Sequence, residues 1–463
     1  MKMKKTKIFI MQKYCIKNIW CYNEVIVDDY SLKHMEDEIV IIEIRAKNCF
    51  AFDESIAFSM KADMRNKKFG SNVHKENNFN VLKTAGIYGP NNAGKTCLIR
   101  CIKAIKGVLL NKKNGLMSNI FTDSDICELG VTFLHDGRKF SYDFKYDSDK
   151  EEYIYEKFVE IIKDQYNNEK EVCWLKRDTL NDEFSCTDTD LLSMMPVVAK
   201  NNVIFHLVDS SKFSALNDMK QILVQFAEKI DIINMNNIPM EHTINLMKNK
   251  NQLQEKVVDF IKNADLYMDN FEYVEMGSIK VRNNSEDEKP EEKVLDIPDK
   301  VMDQIRLVST YKGVQVPSML FDSTGTKKIA AMASYVIEAL EQGRILIVDE
   351  LDSSIHFKLT RATVAMFNNE LNTDAQMIFT VHDINLMDCK RLFRKEQIWF
   401  VDKDENGVYV YSLADFTAEN GVRDTSDIIE KYRKGAFAAL PDPELINSLL
   451  SIKGNAKESG SDD

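Results

Sequence analysis

The chain has 463 residues, 44% of them apolar, and its 61 basic and 73 acidic side chains give a formal net charge of -12. That length and apolar content support substantial cores in about two to four domains, or one large domain with an insertion. The acidity argues against a protein that coats nucleic acid with its whole surface, while a local basic groove stays compatible with it.

Residues Met1 to Trp20 carry Lys2, Lys4, Lys5, Lys7, Lys13 and Lys17 with no acid. The apolar run Ile8–Met11 is too short for a secretory core and is closed by Lys13, so the segment reads as a solvated basic extension. No stretch approaches the roughly 20 apolar residues that span a bilayer. From Ile39 to Met60 the alternation predicts two strands around a turn near Phe52–Ser55. Residues 61–80, rich in Lys and Asn, read as a solvated loop. Strand-like Thr84–Tyr88 then leads into Gly89-Pro90-Asn91-Asn92-Ala93-Gly94-Lys95-Thr96, followed by helix-like Cys97–Ile105. This is the phosphate-loop pattern in its required order of strand, glycine loop and helix. The glycines turn the backbone so that successive N–H groups face one concavity; Lys95 can reach the β- and γ-phosphates of a nucleotide and Thr96 a Mg²⁺.

Glu128–Tyr146 alternates around Asp136-Gly137 and predicts a second hairpin. With the strand-like pieces of Tyr153–Leu180 it forms an antiparallel lobe beside the nucleotide. From Thr187 to about Met276 the apolar spacing becomes helical, over Phe213–Ile230, Pro239–Met247 and Asn251–Ala264. The run Ser285–Lys293 has no apolar member apart from Pro290, and it reads as a loop, as does the tail Gly454–Asp463. The cysteines at 15, 21, 49, 97, 101, 127, 173, 186 and 389 include no C-x-x-C pair and no histidine at zinc spacing. Reduced thiols in a cytoplasm follow, with Cys97 and Cys101 sharing one helix face as packing residues.

Three further stretches join the phosphate loop. Arg344–Glu350 has four apolar residues and then two acids, the pattern of a buried parallel strand that delivers carboxylates at its C-terminal end. Asp349 would hold Mg²⁺ or its water, and Glu350 would polarise an attacking water. Ser323 and Gly325 precede the helix-like Ile329–Leu340 and would present a hydroxyl and free N–H groups to an anion, although a plain N-cap has the same composition. His382 ends the strand-like Gln376–Val381; it would sense the γ-phosphate or serve as a cap.

In this order the residues resemble the ATP-binding-cassette superfamily, in its soluble SMC-like branch. Asp349–His356, Thr380–Asp383, Arg394–Lys403 and Tyr432–Pro441 are similar to the stand-alone AAA/ABC-type ATPases of bacterial anti-phage operons, the AbiLi, RloA and AriA type. The resemblance covers about Ile39 to Pro441, and within the helical region it rests on Phe260–Leu266. It implies an α/β fold, an ABC/SMC-type P-loop ATPase head with a mixed sheet, an antiparallel lobe and a mostly helical insertion. The boundaries implied are a basic extension 1–36, an N-terminal half of the head 37–186, a helical insertion and acidic loop 187–300, a C-terminal half of the head 301–441 and a tail 442–463.

In such a family two heads sandwich ATP and Mg²⁺, so the resemblance implies at least a homodimer. Lys95 and Thr96 would act in cis, Ser323 and Gly325 on the partner's γ-phosphate, Glu350 as the base and His382 as the switch. A separate toxic effector such as a nuclease, a cytoplasmic location and no membrane partner are implied as well. The alternative is a DNA-repair or DNA-remodelling ATPase of SMC type, with nucleic acid as partner; a membrane-transport subunit fits least. Two departures stand out. No glutamine occurs from Thr96 to Asp164, so the residue that should link Mg²⁺ to the lobe is unidentified, and His356 occupies a place where transporters carry an Asp. The guanine-reading N-K-x-D motif is absent, which favours ATP.

Overall fold

The alternating apolar residues from Ile39 form β1 (Ile39–Lys47), which pairs antiparallel with β2 (Ile56–Ser59) as predicted. This structure is a computed structural model, and it describes residues 38–440 except 77–78, 165, 167, 251, 265–266, 276–279, 282–292, 295–297, 418, 420–421 and 424–425. The basic extension, nearly all of Ser285–Lys293 and the C-terminal tail therefore lie outside the described residues. The solvated loop expected over 61–80 is corrected. It holds a second hairpin, β3 (Val73–Glu76) with β4 (Phe79–Leu82). Val73, Val81 and Leu82 bury in the core, and the amide of buried Asn72 donates to Leu392 O at 2.8 Å and Gln397 Oε1 at 2.7 Å. Polar composition concealed a hairpin because its buried polar groups are satisfied by distant residues.

Next come β5 (Thr84–Tyr88) and α1 (Lys95–Leu109), then the five strands β6 (Ile126–His135), β7 (Arg138–Asp147), β8 (Glu152–Lys163), β9 (Glu169–Asp178) and β10 (Glu183–Cys186). Asp136 and Gly137 both take positive φ, 52° and 66°, as a two-residue hairpin turn requires. The stretch expected to be helical contains α2 (Thr189–Met194), α3 (Ile204–Leu207), α4 (Ser214–Glu228), α5 (Glu241–Lys248) and α6 (Gln254–Asn263). It also contains strands: β11 (Ile230–Asn234) and β12 (Asn270–Tyr273). Five residues are too few to show a period of two against the helices on either side of β11, so its strand nature emerges only from pairing.

The remainder comprises β13 (Lys280–Val281), β14 (Lys293–Val294), α7 (Asp299–Arg306), β15 (Leu307–Tyr311), β16 (Val314–Pro317), α8 (Ser318–Phe321) and α9 (Thr324–Gln342). After these come β17 (Ile345–Asp349), α10 (Phe357–Phe367), β18 (Gln376–Thr380), β19 (Ile398–Asp404), β20 (Gly407–Ser412) and α11 (Ile428–Arg433). Among the described residues no helix is long and apolar enough to cross a membrane.

Two sheets organise the chain. One is antiparallel, in the order β10-β9-β8-β7-β6-β1-β2; the other runs β11-β17-β18-β5-β19-β20 and is parallel except for β20. All five residues of β5, β17 and β18 are buried, as in strands covered on both faces, and their polar members Thr84, Asp349, Gln376 and Thr380 are each hydrogen-bonded. Helix α1 packs against α4, β6 and β17, so it lies between the lobe and the parallel sheet. Gln376 staples the two layers: its amide accepts from Ile41 N at 2.9 Å and donates to Ile41 O and Leu82 O, both at 3.0 Å. Parallel strands end together, so β5, β17 and β18 bring their C-terminal loops to one edge.

Candidate functional site

The loop after β5 has the backbone of a phosphate cradle. Gly89 has φ 147°, and a Cβ there would stand 2.0 Å from Val401 O, so no other residue fits. Asn92 sits at φ 64° and Gly94, the N-cap of α1, at φ 118°. The first turn of α1 has no acidic residue and no side-chain cap, so its N–H groups and positive dipole end stay available to an anion. Lys95 folds onto the loop's own carbonyls, donating to Gly89 O at 2.7 Å and Pro90 O at 2.8 Å. Burial pulls its pKa below that of an ordinary lysine, against the opposing pull of Asp349, Asp352 and Glu350.

The acids at the end of β17 meet this cradle. Thr96 Oγ1 lies 3.2 Å from Asp349 Oδ2, while Thr380 Oγ1 donates to Asp349 Oδ1 at 2.6 Å and Asn234 Nδ2 to Asp349 Oδ2 at 3.0 Å. Glu350 follows at φ 56°, the left-handed region that a glutamate rarely adopts, with its N–H donating to Thr380 Oγ1 at 2.7 Å. Backbone strain of this kind persists only where surrounding contacts over-determine it. A hydroxyl and a carboxylate oxygen facing each other suit Mg²⁺, a hard cation that takes few protein ligands and completes its shell with water and phosphate oxygens.

The histidine arrives through its backbone. Asp352 Oδ2 accepts from His382 N at 2.9 Å and Asp383 N at 2.7 Å, which ties the end of β18 to the loop after β17 and leaves the His382 side chain exposed. Ser323 is the N-cap of α9, accepting from Thr326 N at 3.1 Å. A Cβ on Gly325 would meet Ser354 O at 2.9 Å, so this glycine permits close approach to the loop after Glu350. The structure thus gathers Gly89–Thr96, Asp349, Glu350 and His382 at one edge. Gly325 instead packs on Ser354 O while Ser323 caps its own helix at Thr326, and among the described residues no hydrogen bond joins either to the phosphate loop.

Four residues at this edge escaped the sequence reading: Thr380, Asp352, Asn234 and Asn236. Asn236 Nδ2 donates to Glu350 Oε2; Asn234 ends β11, the strand hidden inside the helical stretch, and Asn236 lies in the turn after it. The only sequence signal was the Asn-rich turn Asn234-Met235-Asn236-Asn237 after four residues with three isoleucines.

Comparison with solved structures finds an SMC head domain from Thermotoga maritima at 12% identity, covering 80% of this chain and 98% of that one with a TM-score of 0.40. An SMC head domain with an extended coiled coil, bound to the C-terminal domain of ScpA derived from Pyrococcus furiosus, matches at 10% identity over 85% of this chain and 100% of that one with a TM-score of 0.38. No curated protein matches the sequence. These superpositions are loose, and the fold assignment rests on the topology itself: an α/β P-loop ATPase head of ABC/SMC type with a mixed sheet and an antiparallel lobe. A family model described as "AAA domain, putative AbiEii toxin, Type IV TA system" matches residues 85–388, from the strand before the phosphate loop to beyond His382, and the chain belongs to that family.

Proposed function

We propose that this chain binds and hydrolyses ATP as one head of a homodimer and acts as a cytoplasmic sensor or regulator in phage defence, releasing or holding a separate toxic effector as the heads open and close. The observation that carries the ATPase part is the convergence of the phosphate loop, Thr96, Asp349 and Glu350 at the ends of β5 and β17. The separation of Ser323 and Gly325 from that loop in one chain supports a second copy that completes the site. The defence part rests on the resemblance of the C-terminal half and on the family.

In the proposed mechanism the N–H groups of Gly94 to Thr96 and the Lys95 ammonium bind and orient the β- and γ-phosphates. Mg²⁺, held by Thr96 and Asp349, supplies neutralisation of phosphate charge when bound. Glu350 accepts a proton from the attacking water, His382 contacts the γ-phosphate, and Ser323 and Gly325 of the second copy close over it. Glu350→Gln should keep ATP affinity, trap a closed dimer on size exclusion and lower kcat by about 10²–10⁴-fold, the usual yield of a positioned base. Hydrolysis at the wild-type rate in that variant would remove the base assignment. For the effector, a purified chain that cuts DNA by itself would overturn the two-component scheme. Salt-dependent duplex binding with stimulated ATPase would favour a DNA-remodelling role instead.

A further inference from the structure

Lys328 lies on α9 one turn beyond Ser323, 9% exposed, and its ammonium donates to Ser353 Oγ at 3.0 Å and Ser354 Oγ at 3.2 Å. Ser353 Oγ donates in turn to Asn236 Oδ1, and Asn236 Nδ2 donates to Glu350 Oε2. The direction of this chain is set by its ends. An ammonium only donates and a carboxylate only accepts, so the Asn236 amide can face only one way and the Ser353 hydroxyl must point toward it. Three separate elements meet here: the helix that begins at Ser323, the loop that follows Glu350, and the turn after β11. Two residues of the loop, Glu350 and Ser354, have positive φ, and Gly325 packs on Ser354 O, so the loop and the start of α9 fit against each other closely. A shift of about 1 Å in α9 is enough to break a 3.0 Å hydrogen bond.

We propose that Lys328, Ser353 and Asn236 form a hydrogen-bonded relay that positions Glu350 and ties its placement to the signature helix, so that each chain's base responds to whether that chain's own Ser323 and Gly325 have engaged the second copy's nucleotide. This rests on the dimeric ATPase reading above. Asn236 is a positioning residue: it touches the carboxylate, and Ser353 holds its amide in register. A carboxylate accepting from a fixed amide is confined to one rotamer, and released it samples several. The relay therefore links the two composite sites through each chain, and cooperativity in ATP hydrolysis follows from it.

The test uses the full chain and MgATP, measuring nucleotide affinity, ATP-dependent dimerisation, kcat and Hill coefficient. Asn236→Ala and Ser353→Ala should each lower kcat about ten- to a hundredfold with affinity and dimerisation retained, whereas Ser353→Thr, which keeps the hydroxyl, should recover most of it. Lys328→Met should reduce the Hill coefficient toward one. A purely structural serine would not distinguish threonine from alanine by kcat at unchanged affinity. Unchanged kcat in both alanine variants, or a Ser353→Thr variant no more active than Ser353→Ala, overturns the relay while leaving the ATPase reading intact. Wild-type protein that neither dimerises nor hydrolyses ATP overturns both.

Discussion

The antiparallel lobe and the end of the parallel sheet both bury charge, and they treat it in opposite ways. In the lobe, Glu156 and Arg177 are fully buried and paired, Tyr142 Oη donates to Glu156 at 3.0 Å, and Arg177 donates to Ala199 O at 3.0 Å and Asn202 O at 2.9 Å. Burial pushes the Glu156 carboxyl above the ordinary range, and the guanidinium opposes it. At the sheet edge, Asp349, Glu350 and Asp352 crowd around one buried lysine that spends its hydrogen bonds on loop carbonyls. Matched charge holds strands together. An excess of carboxylates beside a helix N-terminus instead leaves donors and acceptors for a phosphate and a cation, and such a site gives up stability for function.

The sharpest way to break this comparison is Arg177→Met. It leaves Glu156 buried without its cation and should cost about 3–5 kcal/mol in urea or thermal unfolding, while the folded fraction binds ATP as before. If the variant were as stable as the wild type, the lobe pair would not be structural. Gly89→Ala should strike both properties, because the added Cβ collides with Val401 O: about 1–3 kcal/mol of stability and a clear loss of ATP affinity, read by the same unfolding assay and a nucleotide titration. Lys95→Ala belongs wholly to the site. ATP affinity should fall at least tenfold, about 1.4 kcal/mol, with the unfolding free energy within about 1 kcal/mol of wild type.

The smallest effect falls on a pair intermediate between the two regions. His242 Nε2 sits 2.6 Å from Glu338 Oε2 between α5 and α9, partly exposed, and its hydrogen bond holds the Glu338 carboxyl below the usual value of 4.5. A depressed acid contributes stability above its unfolded pKa and loses it as pH falls through the folded one. His242→Ala should therefore cost less than about 1 kcal/mol at pH 6, and the difference from wild type should shrink as the pH falls below the ordinary carboxylate value of 4.5.

Much of the site could be read without coordinates. The phosphate loop, the acids after β17 and His382 are each flanked by strand patterns whose period is local, so position along the chain already predicts their ends. Thr380 and Asp352 were within quoted motifs but had no assigned task, since their work is to hold neighbours across strands. Asn234 and Asn236 were invisible because β11 is recognisable only by its parallel pairing with β17. The hairpin within 61–80 was missed for the same kind of reason: its buried Asn72 and His74 are satisfied by residues hundreds of positions away.

By itself the sequence determined what chemistry the chain can carry, because a phosphate loop depends on glycines, a lysine and a threonine at fixed short spacing, and buried strands depend on runs of apolar residues. Tertiary structure alone decided which groups share a site. Asn236 reaches Glu350 across a sequence separation of 114, and Lys328 meets Ser353 only because α9 packs on the loop after β17. Contacts of that separation depend on how sheets and helices stack, and no local period encodes them.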